Sequence, residues 1–166
     1  MSEEDLERLC KSCGMCCDGT LFQRALLKPE EVEPARRVGL KIFQDRGFEQ
    51  PCPQLRESAC QVYEDRPSVC RSFLCKLYVR HRDLPGPIQP ALKAVKRVRF
   101  LLEVLKKAGL ERSEDGTQVH FSAEGADAFE AMNAFAELME RLEEDFARAP
   151  AAPPAAPPSG VPSQGD

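Results

Sequence analysis

The sequence of 166 residues contains no tryptophan, only two histidines and no long apolar run. Because a membrane-spanning helix needs about 20 apolar residues, the chain is not expected to cross a membrane. The acidic N-terminus, MSEEDLERLC, does not resemble a signal peptide. Neither a Ser-His-Asp set nor a P-loop is visible, so the sequence carries no independent catalytic signature and leaves enzymatic activity undecided. We therefore expect a protein of the cytoplasm.

Cysteine is also missing from Lys76 to the end of the chain. A disulfide scaffold would spread cysteines through the fold, whereas here all eight precede Lys76. Thiols stay reduced in the cytosol, where clustered cysteines more often bind metal than form disulfides. The sequence therefore indicates a metal site, and its candidate ligands are Cys10, Cys13, Cys16, Cys17, Cys52, Cys60, Cys70 and Cys75.

The first four cysteines follow the pattern C-x2-C-x2-C-C. Two residues between cysteines let a tight loop aim both sulfurs at one ion, and Gly14 can supply the positive φ that such a loop often needs. Cys16 and Cys17 are adjacent, and neighbouring side chains of an extended chain point to opposite faces. These two thiols could reach two separate metals, or one could face a metal and the other the interior.

Eight cysteines equal two sets of four, and four thiolates complete either a tetrahedral zinc site or the ligand set of an iron–sulfur cluster. The run C-x2-C-x2-C with the remote Cys52-Pro53 approximates half of a bacterial ferredoxin pattern, although Cys17 follows Cys16 directly. Thiolate ligands suit zinc and iron alike. The predicted cofactor is therefore zinc or iron, with an iron–sulfur cluster left open.

Local signals predict short elements around these cysteines. Ser2 and the acids after it predict a helix that ends near the cluster, with Leu6 and Leu9 on one face. Pro29 starts a second helix, which Gly39 stops. The remaining predictions are a β-prone segment over 20–27, two extended arms around a Glu57–Ser58 turn, a short helix capped by Asp65 with Pro67 in its first turn, and a loop over 80–90.

Two apolar stripes at helical spacing follow Pro90 and predict two helices, with a turn and a short strand over EDGTQVHF between them. The first helix is basic, ends at Gly109 and contains one aromatic residue, which argues against nucleic-acid binding. The second is acidic, so we expect an antiparallel pair with complementary outer faces. The expected core residues are Ala91, Val95, Val98, Leu102 and Leu105, then Phe129, Met132, Phe135, Met139, Leu142 and Phe146.

The cysteine motif carries a family resemblance. CKSCGMCC, followed by CPQLRESACQVYEDRPSVCRSFLC with its Y-x-x-R-P-x-x-C-R-x-F block, closely resembles the CxxCxxCC, or YkgJ-type, family of cysteine-cluster proteins over Cys10 to Cys75. The resemblance implies chelation of zinc or iron but no reaction. A similar cluster in bacterial flagellin lysine methylases leaves open that it assists an enzyme.

We therefore predict a small α+β protein. Its single domain, residues 1–148, combines a metal-organised cysteine-rich half of short strands and helices (motif 10–75) with a C-terminal helical hairpin (88–148). Residues 149–166, rich in proline and alanine, are expected to be disordered. The predicted function is chelation of zinc or iron by the eight thiolates. The alternatives are an iron–sulfur redox or enzyme-accessory protein and a zinc-stabilised interaction module.

A metal ion is the expected partner, and a protein partner stays undefined. Arg66 and Arg71 are expected to pair with carboxylates such as Glu31 or Asp65, or to donate hydrogen bonds to thiolates and offset their charge. The two histidines, His81 and His120, lie outside the cysteine spacing.

Overall fold

A computed structural model describes residues 3–84, 86–112 and 119–150. Its mixture of helices and short strands confirms the α+β class and the C-terminal helical hairpin. The turn predicted before Val119 and the predicted tail beyond residue 150 lie outside the described residues. Across the described ranges, no helix combines the length and the apolar character that a bilayer span requires.

The chain begins with helix α1, Glu3–Cys13, whose Leu6 and Leu9 are buried as predicted. The helix runs through Cys10 and Cys13, so the expectation that these two cysteines lie in a tight loop is wrong. Gly14 ends the helix with a φ of +65°, which confirms the positive φ predicted there. The loop that carries Cys16 and Cys17 therefore starts at Gly14.

The cysteine-rich half contains two small antiparallel sheets. In the first, β3 (Gly47–Glu49) lies between β1 (Arg24–Leu26) and β2 (Ile42–Phe43), so that Ala25 and Ile42 both stand opposite Phe48. In the second, β4 (Leu55–Arg56) pairs with β5 (Ala59–Cys60). Glu57 and Ser58 join them with φ of 47° and 66°, the conformation of a type I′ hairpin turn, and confirm the predicted turn.

Four short helical segments complete this half. A 3-10 turn at Pro29–Glu31 leads into α2, Val32–Arg37, which Gly39 terminates as predicted with a φ of +79°. Helix α3 is Ser68–Ser72 and helix α4 is Lys76–Asp83. The sequence analysis did not predict helix α4. The prolines and glycine of residues 80–90 led us to predict a loop there, and this prediction is wrong for the last turn of α4.

The predicted cap of α3 is also wrong. Asp65 makes no side-chain cap at this helix. The carboxylate of Glu31 accepts hydrogen bonds from the backbone N–H of Ser68 at 2.6 Å and from its hydroxyl at 3.0 Å. The cap therefore comes from a residue in another helical segment, which ties α3 to the start of α2.

The C-terminal part consists of α5 (Gln89–Lys107), a hairpin of β6 (Leu110–Arg112) with β7 (Val119–Phe121), and α6 (Gly125–Arg141), followed by a π turn at Leu142–Phe146. The two long helices pack on each other, as expected. Arg97 of α5 donates to Glu137 of α6 at 2.8 Å, an ion pair between the helices of the kind that their opposite charges predict. Arg141 donates to the same carboxylate at 2.8 Å from within α6.

The buried face of α6 differs from the prediction. Small residues Ala131 and Ala134 and the larger Leu138 face the core, because small side chains let α6 approach α5 closely. Phe129, Met132 and Met139 are exposed instead, at 68%, 61% and 51% of their areas. In α5 the buried stripe contains Leu101, while Leu102 is only half-buried.

Two separate apolar cores hold these elements. The larger core joins α1, α4, α5, α6 and the π turn, and it contains thirteen buried residues, among them Met15, Leu101 and Phe146. The smaller core lies under the three-stranded sheet and contains five: Leu27, Val32, Ala35, Leu40 and Phe48. Cysteines pack against both: Cys13 and Cys75 against the larger core, and Cys52 and Cys70 against the smaller one.

Candidate metal centre

All eight cysteines are free thiols, and they come from six different parts of the fold. Cys10 and Cys13 lie in the last turns of α1, Cys16 and Cys17 in the loop after Gly14, Cys60 on β5 and Cys70 on α3. Cys75 is the N-cap residue of α4, where its sulfur accepts the N–H of Tyr78 at 3.4 Å. Seven of the eight, all except Cys52, line one cavity of about 430 Å³.

Electrostatic neighbourhood divides the thiols into two sets of four. The first set is Cys10, Cys13, Cys16 and Cys75. After burial itself, the charges of Cys13 and Cys75 contribute most to the raised pKa of Cys16, followed by those of the adjacent Cys17 and of Cys10. Burial likewise raises the pKa of Cys10 to about 11, and the nearby charge of Cys75 adds to this shift.

The second set is Cys17, Cys52, Cys60 and Cys70. Burial raises the pKa of Cys17 to about 12, and the charges of the other three members add to the shift. Burial followed by the charges of Cys52 and Cys60 raises the pKa of Cys70 to about 11. The backbone supports this grouping, because the N–H of Cys52 donates to the carbonyl of Cys17 at 2.7 Å.

The two sets also belong to different cores. Cys13 and Cys75 pack against the larger core, whereas Cys52 and Cys70 pack against the smaller one. Helix α4, whose N-cap residue is Cys75, packs on α1. The adjacent Cys16 and Cys17 lie in a turn, so the premise that this part of the chain is extended is wrong. Most charged neighbours of each thiol nevertheless belong to a different set, and one peptide bond links the two sets.

The donor set fits a thiophilic metal. Four thiolates are the ligand complement of a closed zinc site or of an iron–sulfur cluster, and the neutral state that burial favours has to give way to thiolate when a metal binds. Within the described ranges, no three Cys, His, Asp or Glu side chains already stand in metal-binding geometry. The thiols are thus gathered around a common space, and rotation of their side chains would have to bring four sulfurs onto one centre.

A comparison with protein families agrees with this chemistry. Residues 9–92, just over half of the chain, match the model of the CxxCxxCC family, a domain proposed to chelate zinc or iron. The chain belongs to the CxxCxxCC family. No curated protein and no solved structure matches it. The CxxCxxCC match includes all eight cysteines and stops in the first turn of α5, so nearly all of the helical hairpin lies beyond it.

Basic side chains surround the thiols of this CxxCxxCC domain. Among the described residues that line the cavity, five are basic (Lys11, Arg24, Arg66, Arg71 and Arg148) and none is acidic. The charge of Arg66 partly offsets the rise in the pKa of both Cys10 and Cys70, so Arg66 is near both sets. The cavity is therefore a cationic environment in a chain whose formal net charge is −4.

The predicted partners of the two motif arginines need correction. Arg66 lies over the ring of Tyr63 at 3.4 Å and donates to the carbonyl of the same residue at 2.7 Å. Arg71 donates to the carbonyl of Glu64 at 3.4 Å. Neither pairs with Glu31 or Asp65 in the part of the chain that the structure describes, because Glu31 is already bound to Ser68. The other expectation, that these arginines offset the negative charge of thiolates, agrees with the position of Arg66 near Cys10 and Cys70.

Sequence reasoning overlooked Arg99 and Asp18. Arg99 of α5 donates to Asp18 at 2.5 Å and to the carbonyl of Cys13. Burial raises the pKa of Cys13 to about 12, and the charge of Arg99 offsets part of this rise. Arg99 is 81 residues from Asp18 in the chain, and no local signal distinguishes it from the other basic residues of α5. His81 and His120 are not among the residues that line the cavity.

Proposed function

We propose that this chain binds zinc or iron through its eight cysteine thiolates, divided into Cys10, Cys13, Cys16 and Cys75 at one centre and Cys17, Cys52, Cys60 and Cys70 at a second. The observation that carries the proposal is the gathering of eight free thiols in one region, seven of them around one cavity, with most of each thiol's charged neighbours in its own set of four. Four thiolates per centre match the preferred coordination of zinc and of iron–sulfur clusters.

The cationic lining supports the same proposal. Four thiolates around one divalent ion leave a double negative charge, which is costly to bury without compensation. Lys11, Arg24, Arg66, Arg71 and Arg148 can offset that charge from the wall of the cavity. Guanidinium groups do this well because they stay protonated and donate several hydrogen bonds.

Two observations favour the alternatives. Both thiol sets border one cavity, which favours a multinuclear iron–sulfur centre with a redox or enzyme-accessory role. The exposed Phe129, Met132 and Met139 favour a zinc-stabilised interaction module, because contiguous exposed apolar side chains commonly mark binding surfaces. We further propose that the protein works in the cytoplasm, where eight thiols stay reduced, and that residues 1–148 act as one domain.

Anaerobic purification followed by elemental analysis for zinc, iron and inorganic sulfide tests the proposal. We expect more than one metal equivalent per chain and protection of all eight thiols from alkylation. Zinc alone gives a colourless protein, whereas iron with sulfide gives visible charge-transfer absorbance and selects the cluster alternative. One zinc, no iron and four freely alkylated thiols would contradict the two-centre proposal.

A matched pair of variants tests the division of ligands. Cys75→Ser and Cys70→Ser each remove one thiolate, from the first and the second set respectively. We expect each variant to lose one metal centre and keep the other. Loss of both centres from both variants would instead indicate a single shared cluster.

A further inference from the structure

Arg99 links the helical hairpin to residues 13–18, the last residue of α1 and the loop after it, which together carry three of the cysteines. Its side chain is 34% exposed and lies against Asp18, which is 20% exposed. One guanidinium nitrogen donates to Oδ2 of Asp18 at 2.5 Å, and the other donates to the carbonyl of Cys13. These two acceptors mark the two ends of residues 13–18, which contain Cys13, Cys16 and Cys17. This segment is called the cysteine loop below.

The two acceptors also explain why the contact matters for backbone geometry. The carbonyl of Cys13 is at the C-terminus of α1, where the last carbonyls lack partners within the helix. A basic side chain that donates to such a carbonyl satisfies it and complements the helix dipole. Asp18 in turn accepts the N–H of Thr20 at 2.8 Å, so its carboxylate also sets the exit of the loop.

The loop is closely packed around this contact. The backbone N–H groups of Cys17 and Asp18 both donate to the carbonyl of Gly14, at 2.9 and 3.1 Å. A Cβ atom at Gly14 would lie 3.1 Å from the guanidinium of Arg99 and 3.3 Å from Cβ of Ser58. Met15 fixes the same loop from the other side, because its side chain is fully buried in the larger core.

We infer that Arg99 is a positioning residue for the proposed metal centres, holding the cysteine loop in the conformation that presents Cys13, Cys16 and Cys17. The inference rests on the proposed function and extends it beyond the family motif, since Arg99 follows the last residue of the CxxCxxCC match. Arg99 acts through hydrogen bonds to the loop and is not itself a ligand, because a guanidinium is permanently protonated. The helical hairpin is therefore part of the metal-binding apparatus.

Three variants of the full chain test the inference. Arg99→Gln removes the charge and the forked geometry, while Arg99→Lys keeps the charge but cannot donate to both acceptors in the same way. Arg97→Gln is the matched control, because Arg97 lies on the same helix and pairs with Glu137, away from the cysteine loop. Zinc affinity is measured by competition with a chromophoric chelator, and the geometry is followed by the absorption spectrum of cobalt(II) bound to the reduced protein.

Outer residues that orient metal ligands typically contribute about 10–100-fold to affinity. We expect Arg99→Gln to weaken zinc binding by that factor and to alter the cobalt spectrum, Arg99→Lys to be intermediate, and Arg97→Gln to stay within about twofold of the wild type. Wild-type affinity and an unchanged cobalt spectrum for Arg99→Gln would overturn the inference. An equal loss of affinity in Arg97→Gln would also overturn it, because the effect would then belong to α5 as a whole.

A measurement on the metal-free protein separates this inference from the proposed function. Amide hydrogen exchange at Cys17 and Asp18 reports directly on the loop, and we expect Arg99→Gln to accelerate it at least tenfold while Arg97→Gln leaves it unchanged. If the wild type binds neither zinc nor cobalt, the proposed function fails, and this exchange result still decides whether Arg99 holds the loop. Should Arg99→Gln fail to fold, Asp18→Asn removes the partner charge at nearly constant volume and is expected to accelerate the same two amides.

Discussion

Removing one thiolate of the second set should open the smaller core while leaving the helical hairpin intact. Cys70 packs against this core, whose larger buried residues are Leu27, Val32, Leu40 and Phe48. Burying each such side chain contributes about 1.5–3 kcal/mol, or roughly 6–12 kcal/mol for the four. A structural zinc site contributes about 10–16 kcal/mol of apparent binding free energy. The free energy of metal binding is therefore as large as that of burying these four side chains. The smaller core should consequently depend on the metal for its stability.

Hydrogen exchange measured by mass spectrometry or NMR on metal-loaded Cys70→Ser tests this expectation. The informative amides are those of Leu27 and Glu49, which donate to the carbonyls of Arg46 at 2.9 Å and Lys41 at 3.0 Å across the three-stranded sheet. We expect their exchange to accelerate at least 100-fold, which corresponds to about 2.7 kcal/mol of lost protection. Amides in the middle of α5 should change less than threefold.

Cys75→Ser is the matched control, because it removes a thiolate that packs against the larger core. That core holds thirteen buried residues and should retain its helices without the first metal centre. The amides of Leu27 and Glu49 should therefore accelerate less than tenfold in this variant. Equal protection of these amides in Cys70→Ser and the wild type would refute the argument that metal organises the cysteine-rich half.

Four further expectations follow from burial, capping, thiol chemistry and composition. Leu138→Ala in the buried face of α6 should lower the free energy of unfolding, measured by urea denaturation, by about 2–5 kcal/mol. Met132→Ser on the exposed face should change it by less than about 0.5 kcal/mol. A large loss of stability in Met132→Ser would show that this face is covered. Glu31→Ala should cost about 0.5–2 kcal/mol through the lost cap of α3, while Asp65→Ala should be neutral, and the reverse order would contradict the Glu31–Ser68 contact. In the metal-free reduced protein, burial raises the pKa of Cys10 from 9.0 to about 11, so the folded state binds this proton more tightly. The stability that this adds should be fully present below pH 9 and be lost as pH rises toward 11. Anaerobic melts at pH 8 and pH 10.5 check this, and metal-loaded protein, whose thiols are already deprotonated, should not show the loss. Deleting residues 150–166 should leave the metal content and the melting temperature unchanged, and a drop of several degrees would show that the tail packs on the domain.

The features predicted correctly are those that local chemistry decides. Gly14 and Gly39 take positive φ because each follows a helix, and Glu57–Ser58 forms a turn because its neighbours are extended on both sides. The cysteine motif is also local enough to identify the family. These signals depend on residues within a few positions of one another.

The features that sequence reasoning missed depend on distant residues. The cap of α3 comes from Glu31, 37 residues before Ser68, so the nearby Asp65 was a misleading candidate. Periodicity favoured the bulky Phe129, Met132 and Met139 as the core of α6, but close packing against α5 buries Ala131 and Ala134 instead. The proposed division of the thiols rests on which core each segment packs against, and spacing alone cannot give that.

The single peptide bond between Cys16 and Cys17 has a thermodynamic consequence for loading. Under the proposed division, the two residues serve different centres but share one backbone conformation, so the first metal to bind also fixes part of the second site. Ordering the backbone of one residue costs about 1–2 kcal/mol, and a second metal that no longer bears this cost would bind roughly 5–30-fold more tightly. Titration should therefore fill the two centres with positive cooperativity, and half-loaded chains should be scarce even when metal is limiting.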